Sequence, residues 1–67
     1  MPTTADALLA LADQLDQRPN QPAHLPSIRG RARYLGLTSD WVDLLPPTDG
    51  AAHSQYAARL RALAGGH

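Results

Sequence analysis

Apart from Pro2, prolines stand at positions 19, 22, 26, 46 and 47 of a 67-residue chain, and they leave no room for a long element. A proline inside a helix removes a hydrogen bond and clashes with the carbonyl four residues back, so helices must lie between the prolines. Three stretches remain, and Gly36, suited to the left-handed position after a helix end, divides the middle one. The chain therefore reads as four short helices, over residues 3–18, 28–35, 39–45 and 50–64. No strand-like alternation and no repeat interrupts that pattern, and the fold class expected is all-α, in one small domain over 1–67.

Each segment carries its own signals. Thr3 or Thr4 can cap the first helix, with Asp6 in its first turn where the helix dipole favours it. Leu8, Leu11, Ala12 and Leu15 then fall on one stripe, and Pro19 closes the segment. Residues 19–26 hold three prolines in eight positions. They read as a stiff connector that fixes helix geometry rather than as a polyproline ligand. Ser27 is the expected cap of the second helix, which puts Ile28, Ala32 and Leu35 on one face. Thr38 caps the third helix, which Pro46 and Pro47 stop. Thr48 or Asp49 can cap the fourth, whose stripe is Ala52, Tyr56, Leu60, Leu63 and Ala64, and Gly65-Gly66 end it.

The side chains available restrict the core. Eleven Leu and twelve Ala dominate, Phe is absent, and there is no Cys. Disulfides and thiolate sites are thereby excluded, and the core should be close-packed helices stitched by leucine. At about 0.05–0.15 kcal/mol per residue, the total stability expected is only roughly 3–10 kcal/mol. Self-association or a partner could supplement it.

All six cationic residues are Arg and all six anionic ones are Asp. In chain order they form blocks of −3, +4, −3 and +2 that cancel. Zero net charge argues against non-specific coating of nucleic acid. The alternation suits helices of opposite charge lying side by side, or a polarised surface. No apolar run reaches the 18 or so residues of a membrane span. The opening Met-Pro-Thr-Thr-Ala-Asp has no basic n-region, so the cytoplasm is the expected compartment.

Residues 28–45 carry the most organised local pattern. Ala32 is small enough to let two helices approach, Gly36 takes the turn between Leu35 and Leu37, and Val42 and Leu45 fall where a second helix would pack on the first. In these positions the stretch resembles the helix-turn-helix of bacterial and phage repressors. Arg31 departs from that pattern, standing where those repressors usually have an apolar residue. The resemblance implies a DNA-binding regulator, dimeric so that two half-sites add. Against this, the helix that would enter the major groove offers Ser39, Asp40, Asp43 and Leu44, with no Arg, Lys, Asn or Gln to read a base. Two carboxylates beside a polyanion are unfavourable.

A protein partner fits the same residues better. Arg29 and Arg33 share a helix face, with Arg31 on the opposite side. Arginine suits bidentate recognition of carboxylates. Tyr34 and Trp41 add the aromatic component of an interaction hot spot. Trp41 has two readings. If Val42 and Leu45 face the core, Trp41 and Leu44 turn partly outward; if Leu37, Trp41, Leu44 and Leu45 make the stripe, Trp41 is the central packing residue. In so small a chain the second is favoured. Arg59 and Arg61 could extend the basic strip or pair with the protein's own aspartates.

Catalytic and metal-binding patterns are missing from the sequence. His24, His53 and His67 have no metal-ligand spacing, and His53 and Ser54 point about 100° apart on a helix. The expectation is a non-catalytic binding module without cofactor. It would dock on another protein through Arg29, Arg31, Arg33, Tyr34, Asp40, Trp41, Asp43 and Leu44. DNA, a second copy of the chain, or a place as a structural subunit are the alternatives.

Overall fold

The computed structural model describes residues 3–65. It contains α1 (Thr4–Asp16), α2 (Leu25–Tyr34), α3 (Ser39–Asp43) and α4 (His53–Gly65). Among the described residues there is no strand, only one isolated antiparallel bridge between Pro22 and Ala52. The Cα radius of gyration is 10.6 Å, close to the roughly 11 Å expected of a folded chain this long.

α1 starts where a capping box can form. The Thr3 hydroxyl accepts from the Asp6 amide at 3.1 Å, and the Asp6 carboxylate accepts from the Thr3 amide at 3.2 Å. The whole Leu8–Leu11–Ala12–Leu15 stripe is buried, joined by Ala7. It packs chiefly on α4, which buries Tyr56, Ala57, Leu60 and Ala64. Ser54 donates to the Pro19 carbonyl, whereas Arg61 reaches Asp13 and Asp16. The two helices therefore run antiparallel. Alanines on both faces bring the backbones close while the leucines fill the seam.

Four boundaries differ from the expectation by two residues or more, each for a local reason. α1 ends at Asp16 with Gln17 as C-cap, because the residue before a proline avoids the helical region and pulls the end back from Pro19. α2 begins at Leu25 rather than 28: its N-cap is His24, and Pro26 sits inside the first turn. A missing N–H costs nothing there, so Pro26 belongs to the helix and not to the connector. α3 stops at Asp43, leaving Leu45 buried but outside the helix. α4 begins at His53 because Asp49 and Gly50 have φ of 48° and 77°. These left-handed residues form a turn closed by the Ala51 amide on the Thr48 carbonyl, 2.8 Å. Neither Thr48 nor Asp49 caps α4; instead the Gln55 side chain accepts from the Ala52 amide at 3.0 Å. α4 is still helical at Gly65, and the stop expected at Gly66 lies outside the described residues.

The end of α2 behaves as Gly36 suggests. Gly36 has φ of 105°. Its amide donates to Arg33 and that of Leu37 donates to Ala32, at 3.1 and 3.0 Å. This is a Schellman motif, with Leu37 and Ala32 both buried. The connector is equally well determined. Ala23 donates to Ala51 and His53 to Gln21, at 2.9 and 2.8 Å, tying it to the turn before α4. No described helix is long and apolar enough to cross a membrane.

Candidate functional site

The core face of α2 is narrow, and most of the helix surface is open. Ile28 and Ala32 are buried, Leu35 is half-buried, and the remaining side chains from Pro26 to Tyr34 are exposed. Arg29 and Arg33 lie one turn apart on one flank. Neither guanidinium makes a hydrogen bond or ion pair among the described residues. Arg31, on the other flank, donates to the Gln14 Oε1 of α1 at 2.7 Å. Tyr34 is 89% exposed, the most open of the large hydrophobic side chains among the described residues.

α3 presents a different surface. Thr38 caps it, its hydroxyl accepting from the Trp41 amide at 3.4 Å. Val42 is fully buried and Leu45 nearly so, whereas Leu44 is 68% exposed. Trp41 is half-buried and packs against the edge of the core. The expectation that Trp41 is the central packing residue is therefore corrected: Val42 takes that place. A single helical turn can turn one side chain fully inward. With Leu37 and Leu45 already closing the core on either side, the volume left fits Val rather than Trp. Asp40 and Asp43 are exposed and pair with no arginine among the described residues.

The structure separates the arginines by role. Arg61 of α4 bridges Asp13 at 3.0 Å and Asp16 at 2.5 Å, so the last charge block pairs with the first. Hydrogen bonds to those two carboxylates hold the Arg61 guanidinium still more firmly in its charged form. Arg59 donates to the Pro47 carbonyl at 3.1 Å, and the buried Tyr56 hydroxyl donates to that of Pro46 at 2.7 Å. Both bonds strap the Pro46–Pro47 segment to α4. Burial pushes the Tyr56 hydroxyl above its ordinary range, while the positive charges of Arg29 and Arg59 pull it back. Arg59 and Arg61 thus serve the fold and do not extend a free basic strip.

One feature escapes sequence reasoning altogether. The end of α1, the connector and the first turns of α2 and α4 enclose a cavity of about 380 Å³. Arg18, Arg31, His24 and His53 stand in its wall, together with Gln17 and Gln21. These residues are scattered over more than thirty positions, and only the pairing of the connector with the turn before α4 gathers them. His24 Nδ1 lies 2.9 Å from the Ser27 hydroxyl. His53 Nδ1 is buried without a hydrogen-bond partner among the described residues. Among the described residues no group of His, Asp or Glu side chains could hold a metal ion.

Compared with known protein families, with curated proteins and with solved structures, the chain has no significant match.

Proposed function

We propose that this protein is a non-catalytic helical module that docks an acidic surface of another protein on α2 and the adjoining α3. The observation that carries this reading is the division among the arginines. Among the described residues Arg31, Arg59 and Arg61 each have a partner within the fold, whereas Arg29 and Arg33 stand side by side with none; Arg18, also without one, lies apart after the end of α1. On the Arg31 flank of the same helix Tyr34, and on α3 Leu44, expose apolar surface that the core does not use. Arginine and tyrosine contribute most to an interface when the partner excludes water from them. Carboxylates are the natural complement of the paired guanidiniums, through bidentate hydrogen bonds. Asp40 and Asp43 on α3 would set orientation by repelling the acidic partner from that end.

A DNA-binding helix-turn-helix is the second reading. The burial of Val42 and Leu45 beyond the Gly36 turn favours it. The five residues of α3, and the two exposed carboxylates it would place in the groove, oppose it.

The experiment is capture of the partner from nuclease-treated lysate of the source cell by wild type and by an Arg29→Ala/Arg33→Ala variant, with thermal melts of both. A variant that melts as wild type and loses capture by tenfold or more is the expected outcome. Unchanged capture would remove these arginines from the interface. Capture abolished by the nuclease would favour the DNA reading.

A further inference from the structure

We propose that the cavity between the end of α1, the connector and the first turns of α2 and α4 binds a small phosphomonoester. The wall brings two guanidiniums, Arg18 and Arg31, and two imidazoles, His24 and His53, around about 380 Å³, and among the described residues no carboxylate lines that space. In a chain with equal numbers of Arg and Asp, such segregation needs a cause. The aspartates of α1 nearest to it, Asp13 and Asp16, are held on another face by Arg61.

The donors are poised rather than spent. Arg18 makes no side-chain hydrogen bond or ion pair among the described residues. Arg31 uses one nitrogen on Gln14, which orients the guanidinium and leaves its other donors available. α2 has no side-chain cap, and the Leu25 and Ser27 amides donate to nothing among the described residues. Those amides add positive partial charge to the same end of the cavity. Together these groups outnumber the acceptor positions of one carboxylate. They match a phosphate, with three terminal oxygens and a charge of about −1.5 to −2. The volume exceeds that of a bare phosphate and lies in the usual range for small organic ligands, roughly 300–1,000 Å³. Gln17 and Gln21, which donate and accept, suit the organic part.

This site is independent of the docking face, since Arg31 and the Arg29–Arg33 pair lie on opposite flanks of α2. The test is an amide NMR titration of the isotope-labelled full chain with adenosine monophosphate, inorganic phosphate and adenosine. It is run on wild type and on Arg18→Gln, Arg31→Gln and Arg33→Gln, whose spectra also report folding. The expected result is saturable shifts at Leu25, Ser27 and His53 with the monophosphate, weaker ones with phosphate and none with adenosine. Arg18→Gln and Arg31→Gln should each weaken binding by about tenfold or more, as loss of a charged hydrogen bond does, and Arg33→Gln should leave it unchanged. Arg18 holds no other part of the protein, so its variant remains informative if Arg31→Gln unfolds. The absence of saturable shifts at about 50 mM, far weaker than a millimolar site, would overturn the proposal. So would an Arg33→Gln variant weakened as much as Arg18→Gln, and tighter binding of phosphate than of the ester would overturn the ester assignment.

Discussion

The α1–α4 pair and the α2–α3 arm are built from the same few residue types and put them to opposite uses. Along α1 and α4, leucines and alanines are buried on a continuous seam, and Arg61 spans the two helices. Along α2 and α3 only Ile28, Ala32 and Val42 are buried, and apart from the half-buried Leu25 and Trp41 the other side chains are exposed. α2 starts without a side-chain cap and α3 is five residues long. Helices this short are not stable alone, so the arm depends on its few anchors in a core that the other two helices supply. Stability is concentrated in one half of the molecule, and the side chains left free to bind are concentrated in the other.

The largest effect should come from the seam. Leu11 and Leu60 are both wholly buried, so Leu11→Ala or Leu60→Ala should each cost about 2–5 kcal/mol by opening a cavity. That is comparable with the whole stability of so small a domain. Thermal melts should show either variant largely unfolded at room temperature; a shift of only a few degrees would mean that the seam is not where stability lies.

Tyr56→Phe asks how firmly the Pro46–Pro47 segment is tied to the pair. Loss of the bond to the Pro46 carbonyl should cost about 0.5–1.5 kcal/mol. The pH dependence follows from the direction of the shift. The hydroxyl ionises near 10 in the unfolded chain and higher in the folded one. Between those values the unfolded state binds fewer protons, so wild-type stability falls as pH rises past 10. Melts from pH 8 to 11 should show that slope in wild type and a shallower one in the variant; parallel curves would mean that Tyr56 ionises alike in both states.

The smallest effect is a gain. Gly30 is exposed, and a methyl group there would meet nothing within 4 Å. Gly30→Ala should therefore stabilise α2 by up to about 1 kcal/mol. A higher melting temperature would attribute part of the arm's weakness to backbone freedom at this position, whereas a lower one would place Gly30 in a contact.

Much of this division was legible in the sequence, because both long helices carry uninterrupted stripes. Leu8, Leu11, Ala12 and Leu15 are all buried, as are Tyr56, Leu60 and Ala64; Leu63 sits at the seam's edge, whereas Ala52 lies ahead of α4 in the bridge to Pro22. Thr3 and Thr38 cap the helices expected of them. What escaped depends on geometry that spacing cannot carry. Pro26 reads as a breaker unless it is known to occupy a first turn, where its missing N–H is harmless. Ala57 joins the core because small residues pack wherever two backbones approach, on or off a stripe. Trp41 turned toward the edge because α3 is too short to seat both it and Val42. The cavity lined by Arg18, Arg31, His24 and His53 has no sequence signature, since backbone pairing between residues 21–23 and 51–53 creates it.

Native-state hydrogen exchange tests the contrast between the two halves most directly. Amides of α1 and α4 around Leu11 and Leu60 should exchange only through global unfolding, with opening free energies equal to the stability from denaturant melts. Those of α2 and α3 should open at clearly lower free energy, with little dependence on denaturant, as local opening of a sparsely buried arm. Equal opening free energies and equal denaturant dependence across all four helices would contradict the account, because the arm would then be as integral to the fold as the pair that supports it.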